Sequence, residues 1–165
     1  MADVTIDPIG EQARWSLRMP LALQTLSGFR IALDINRMSV EGERLAARLG
    51  PDEWLLCAPP AGASELAQVI AERLCGEHHS LVDVGHRYAA FRIEGVQAHR
   101  LLTAGCPLDL DPLVFAPGHA TRTLLGKAEI VLWRLPTGYR VECGRTFAPY
   151  VEAFLREAAR EFTAG

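Results

Sequence analysis

Hydrophobic and polar positions alternate most plainly from the middle of the chain onward. In "YAAFRIEG" (88–95), Ala89, Phe91 and Ile93 fall on one side and Ala90, Arg92 and Glu94 on the other, the period of a strand. "SLVDVG" (80–85), "HATRTLL" (119–125), "AEIVLWRL" (128–135) and "YRVEC" (139–143) predict further strands, the last three separated by turns at Gly126-Lys127 and Pro136-Thr137-Gly138. "ERLAARLG" (43–50) and "EWLLCAP" (53–59) predict two more, turned at Gly50-Pro51-Asp52, where proline fixes its own φ. In the second of these, Trp54 and Leu56 are expected on one face and Leu55 and Cys57 on the other.

The period lengthens in three places. "SELAQVIAERLCG" (64–76) predicts a helix with Ser64 as N-cap, a stripe of Leu66, Val69, Ile70 and Leu74, and Gly76 as its stop. "VQAHRLLTAG" (96–105) predicts a shorter one ended by Gly105. A last helix starts near Thr146, admits Pro149 in its first turn, and carries Phe147, Tyr150, Val151, Phe154, Ala158 and Phe162 along one side. Residues 1–42 carry weaker signals. "RWSLRM" and "FRIALDI" suggest strands, with Pro20 and Gly28 as breaks.

Pairs of strands mixed with helices predict an α+β fold, a mostly antiparallel sheet with helices packed on one face. The expected division is an N-terminal segment, 1–42, and a single α+β domain, 43–165.

Charge narrows the range of partners. The 17 Lys and Arg nearly balance 20 Asp and Glu, and they are scattered, which leaves no electrostatic footprint for nucleic acid or an anionic membrane. No apolar run approaches the roughly 18 residues of a membrane span. The start, "MADVTIDPIGEQARW", lacks the pattern of a signal peptide, and Cys57, Cys75, Cys106 and Cys143 match neither a zinc knuckle nor a disulfide scaffold. A cytoplasmic protein with reduced thiols is expected. With Gly counted and Tyr left out, the apolar share lies a little above the usual range of about 45–50%, which points weakly to a covered surface.

Several stretches carry residue types that could support chemistry. In "GCPLDLDP" (105–112), Cys106 follows a helix C-terminus, where the dipole opposes a thiolate, so a packed thiol is expected rather than a nucleophile. Asp109 and Asp111 flank Leu110 in a corner bounded by Pro107 and Pro112, so turn and cap roles are expected over a carboxylate pair, with a salt bridge to a partner left open. Of His78, His79, His86, His99 and His119, only "EHHS" clusters, and adjacent residues do not chelate one ion easily. "HATRTLLGKA" fails the phosphate-loop pattern, with Thr121 and Ala128 where Gly and Ser or Thr are required, and no GxGxxG occurs. No catalytic, cofactor-binding or metal-binding residue is therefore assigned.

Five stretches carry a family resemblance: "LGPDEWLL" (49–56), "VDVGHRYAAFRIEG" (82–95), "GCPLDLDPLVFAPG" (105–118), "TLLGKAEIVLWR" (123–134) and "GRTFAPYVEAFLREAAREF" (144–162). In order, they resemble the gamma subunit family of heterotetrameric sarcosine oxidase. The family pattern falls on Gly50 to Trp54, on the Cys106 to Leu110 corner, on Phe115, Pro117 and Gly118, and on Arg145, with Thr146 where the family often has Ser. Before residue 43 the chain looks shorter than the family's opening strand-helix segment.

More faintly, the second half resembles the N-terminal domain of tetrahydrofolate-binding aminomethyltransferases. Only Glu129 stands near that family's acidic positions, and the Lys-Gly-Cys-Tyr-x-Gly-Gln-Glu stretch of related folate-binding repair proteins is missing. The resemblance implies a folate-binding-domain fold without the folate site.

The sarcosine oxidase resemblance also implies a noncatalytic, structural subunit partnered by alpha, beta and delta chains. The complex would oxidatively demethylate sarcosine to glycine and pass the one-carbon unit to tetrahydrofolate, with FAD, FMN, NAD and zinc on the other chains and none bound here. Two rivals stay open: the equivalent subunit of an N-methylglutamate dehydrogenase-type complex, and a free-standing folate-binding module. Trp54, Arg145 and Phe147 are candidate docking residues, although both aromatics fit a core equally well.

Overall fold

In the computed structural model, which describes residues 3–20, 25–26 and 28–163, the chain forms two compact units. One joins the N-terminal residues up to Gly10 with everything from Arg87 onward, and the other runs Glu11–His86. This division departs from the expected boundary at 42/43. Residues 43–86 share a unit with 11–42 because a strand from before the boundary pairs between two from after it.

The first unit is a five-stranded sheet of β1 (Thr5–Ile9), β9 (Tyr88–Glu94), β10 (Ala120–Leu125), β11 (Ala128–Arg134) and β12 (Tyr139–Gly144), ordered β1-β9-β12-β11-β10 with every pair antiparallel. α2 (Ala98–Thr103) and α3 (Ala148–Thr163) cover one face. Alternation fixes what that face holds. Phe91, Ile93, Ile130, Leu132, Tyr139, Val141 and Cys143 point into a core closed by Leu101 and Leu102 of α2 and Val151 and Leu155 of α3.

The expected stripe of the last helix is confirmed at Val151, Phe154, Ala158 and Phe162. Phe147 instead lies before the helix, in a 3-10 turn at 145–147, and is exposed.

The second unit has its own five-stranded antiparallel sheet, ordered β5-β6-β7-β2-β8: β2 (Ala13–Arg18), β5 (Arg37–Glu41), β6 (Arg44–Arg48), β7 (Glu53–Ala58) and β8 (Ser80–Asp83). A two-stranded pair, β3 (Thr25–Leu26) and β4 (Phe29–Arg30), adds Leu26 and Phe29 to the core. α1 (Ala63–Arg73) contributes Ile70, with Leu74 just beyond it. Trp54 and Leu56 share one face as expected and, with Ala58, line that core, while Leu55 and Cys57 on the opposite side are buried too.

Two details of α1 correct the sequence reading. Its N-cap is Gly62, whose φ of 73° is left-handed and whose carbonyl accepts from Leu66 N at 3.0 Å, so Ser64 lies inside the helix. Val69 faces out, about half exposed, because the buried stripe runs Leu66, Ala67, Ile70, Leu74.

Candidate functional site

The "GCPLDLDP" corner is built from backbone needs. Gly105 follows α2, but its role is space rather than a left-handed φ. A Cβ there would come within 2.5 and 2.8 Å of the Phe154 ring and 2.9 Å of Gly126 N, and Gly126 N donates to Gly105 O at 2.9 Å. Cys106 is buried in the core with Sγ 3.8 Å from Thr123 Oγ1. Asp109 and Asp111 each close a turn: Asp111 N donates to Asp109 Oδ1 at 3.0 Å, and Leu113 N to Asp111 Oδ1 at 2.8 Å. The packed thiol and the turn-forming aspartates thus stand as expected.

Trp54 is fully buried and belongs to the core, which removes it from the docking candidates. Its indole N–H donates to Ala32 O at 3.2 Å, and the Arg48 guanidinium lies over its ring at 5.3 Å. That guanidinium also donates to Gly50 O at 3.2 Å and Pro51 O at 2.6 Å. The Gly-Pro-Asp-Glu-Trp stretch is therefore a turn whose carbonyls are held by the strand before it. Arg145 and Phe147 remain at the surface.

The histidines do not converge. His79 Nδ1 contacts Glu77 O at 2.9 Å and His119 Nδ1 contacts Ala116 O at 2.7 Å, local backbone contacts both. Among the described residues no three His, Cys, Asp or Glu side chains gather as a ligand set. Gly126-Lys127 forms the expected two-residue hairpin, with Gly126 at φ 58° and Lys127 N donating to Tyr150 Oη at 3.0 Å.

Sequence reasoning did not find a cleft of about 460 Å³ on the first unit, whose walls include Arg87, Tyr88, Arg122, Glu129, Glu142 and Phe147. Its floor is the sheet face turned away from α2 and α3, since Arg122, Val131 and Glu142 are register partners on β10, β11 and β12. Glu142 is fully buried, and the equally buried Arg140, two residues earlier on the same face, donates to it from Nε at 2.7 Å and also from Nη2. A buried pair of this kind is costly unless its geometry is good. The signal available in the sequence was the alternation Tyr139-Arg140-Val141-Glu142-Cys143, which sets opposite charges together on one face. Glu129, the residue singled out for its likeness to a folate site, is exposed on the cleft wall.

Tyr139, on the helix-covered face, is buried with its hydroxyl unpartnered. Burial pushes its phenol above the ordinary value near 10, the Arg134 guanidinium opposes the shift, and Cys106 adds to it. The Arg134 guanidinium lies over the ring at 4.6 Å, and Phe115 stacks parallel to it at 6.5 Å.

The family model described as "Sarcosine oxidase, gamma subunit family" matches residues 19–161. The chain belongs to this family. The match reaches back into the segment before residue 43 that the sequence resemblance had left out. The sarcosine oxidase subunit gamma of Corynebacterium sp. (strain U-96) is 31% identical over 117 residues, which is 70% of this chain and 56% of that protein. The aligned stretch thus spans little more than half the length of that relative.

Among solved structures, a chain of the heterotetrameric sarcosine oxidase from Corynebacterium sp. U-96, in complex with pyrrole 2-carboxylate, superposes with a TM-score of 0.88. It is 24% identical, over 98% of this chain and 86% of that one. The glycine cleavage system aminomethyltransferase T from Bartonella henselae superposes at 0.71 and 16% identity, over 96% of this chain and 49% of its own. Both share the fold, which agrees with the two resemblances drawn from the sequence.

Proposed function

We propose that this chain is the noncatalytic gamma subunit of a heterotetrameric sarcosine oxidase, with a structural role in assembling the complex. The observation that carries the reading is the family match over residues 19–161, which takes in both units. The chemistry is assigned to the alpha, beta and delta chains: oxidative demethylation of sarcosine to glycine, reduction of oxygen to hydrogen peroxide, and transfer of the one-carbon unit to tetrahydrofolate. FAD, FMN, NAD and zinc belong to those chains as well. The complex is assigned to the cytoplasm.

Support from the residues is consistent with this division of labour. The motif stretches that carry the resemblance are spent on turns, caps and core packing: Asp109 and Asp111 on backbone N–H groups, Cys106 on the core, and Arg48 on the carbonyls before Trp54. A subunit that positions others needs a stable scaffold and a surface. The test is spectroscopic and calorimetric. The purified chain should show no flavin absorbance and no heat on titration with tetrahydrofolate, while the co-expressed complex shows flavin. Stoichiometric flavin, or micromolar tetrahydrofolate binding by the chain alone, would make it a cofactor-binding module instead.

A further inference from the structure

The turn that follows Cys106 holds an apolar tip away from the protein. Leu113 is 92% exposed and Val114 beside it is 55% exposed, although both sit between buried anchors, Leu110 and Phe115. The tip is ordered by four hydrogen bonds. Besides the two carboxylate turns, Val114 N and Phe115 N both donate to Asp111 O at 2.8 Å. Phe115 then locks the return strand of the turn by stacking on Tyr139.

An exposed leucine alone signifies little, because much of any protein surface is apolar. Here two adjacent apolar side chains are pre-set on a rigid turn, so covering them costs little further ordering. Charge says what kind of surface fits. From 101 to 121 the sequence has two aspartates, both exposed, and no lysine or arginine. An apolar apex with an acidic flank has the layout of an interface centre with its polar rim.

We propose that the turn from Asp109 to Phe115 is a docking knob that seats Leu113 and Val114 in an apolar pocket with a Lys- or Arg-lined rim on a neighbouring subunit of the oxidase. The proposal rests on the subunit reading above and identifies the surface that reading requires. Aspartate at the apex would put an unpaired charge into the apolar pocket, a substitution that interfaces tolerate poorly.

The experiment co-expresses the tagged full chain with the neighbouring subunits and compares wild type, Leu113→Asp and Val96→Asp. Val96 is a control, 76% exposed and apolar but outside the knob. Leu113→Asp should lower recovery of the other subunits about tenfold or more, and Val96→Asp should leave it near wild type. Because a variant that fails to fold would mimic lost docking, a photo-reactive phenylalanine analogue is also placed at 113 or at 96 in otherwise wild-type chain. Position 113 should crosslink to another subunit and position 96 should not. Wild-type recovery with Leu113→Asp, no crosslink from 113 within an assembled complex, or a crosslink from 113 to a second copy of this chain would each overturn the knob while leaving the subunit reading intact. If wild-type chain brings down no other subunit, both fall together.

Discussion

The two units of this chain use the same sheet plan and fill it differently. In the unit containing β9 to β12, two helices lay Leu101, Leu102, Val151 and Leu155 over the sheet, so both layers supply the core. In the Glu11–His86 unit, α1 buries only Ile70 within its length, with Leu74 just past it, and the volume is taken by Trp15, Phe29 and Trp54. The difference lies in the helical share of each core, since the first also buries Phe91, Phe115 and Tyr139 beside its helices. The cleft and the Leu113 tip both lie in the helix-rich unit.

Trp54→Ala should break the comparison most sharply. Removing a fully buried tryptophan costs about 3–5 kcal/mol, and it also leaves Ala32 O and the Arg48 guanidinium without a contact each. Native-state hydrogen exchange should show protection falling in β2, β6 and β7. An equal fall in β9, β11 and β12 would mean that the two cores do not behave as distinct units.

Gly105→Ala is the counterpart in the helix-rich unit. Its Cβ would collide with the Phe154 ring and the Gly126 backbone, and the overpacking should cost about 1–3 kcal/mol in chemical denaturation. A neutral result would show that α2, α3 and the β10–β11 turn have slack at their meeting point. Cys106→Ala should cost less, about 1 kcal/mol, and leave turnover of the assembled complex unchanged. Abolished turnover in a folded, assembled variant would give the thiol a chemical role.

The smallest effect concerns pH. Because the folded state raises the Tyr139 phenol, it binds that proton more tightly than the unfolded chain does. The resulting stability is complete below about pH 10 and is lost as pH climbs from there through the folded value. Tyr139→Phe removes a hydroxyl with no partner, so alkaline unfolding should move to higher pH with no loss at neutral pH. An alkaline midpoint that does not move would mean that another group controls it.

Legibility followed the same divide. β9 and α3 were readable because apolar residues recur along one face of each, while β11 and β12, buried on both faces, were readable from apolar runs bounded by the turns at Gly126-Lys127 and Pro136-Thr137-Gly138. β1 was missed because "TIDPI" is an edge strand with little burial and a proline at Pro8, which edges tolerate. β5, at the other sheet's edge, was missed for the same reason. The unit boundary could not be read locally, since it depends on β2 pairing with both β7 and β8, far along the chain.

The roles of Cys106, Asp109 and Asp111 were legible because they are set by neighbours one or two residues away. The cleft was not, because the burial of Glu142 and Arg140 depends on strands distant in sequence.

The central claim is that this chain works as one subunit of an oxidase assembly, and co-purification tests it most directly. With the tag on this chain alone and the neighbouring genes co-expressed, affinity capture followed by native mass spectrometry should give one stable complex containing this chain and flavin-bearing subunits. A monomer that leaves the flavoprotein in the flow-through would contradict the account.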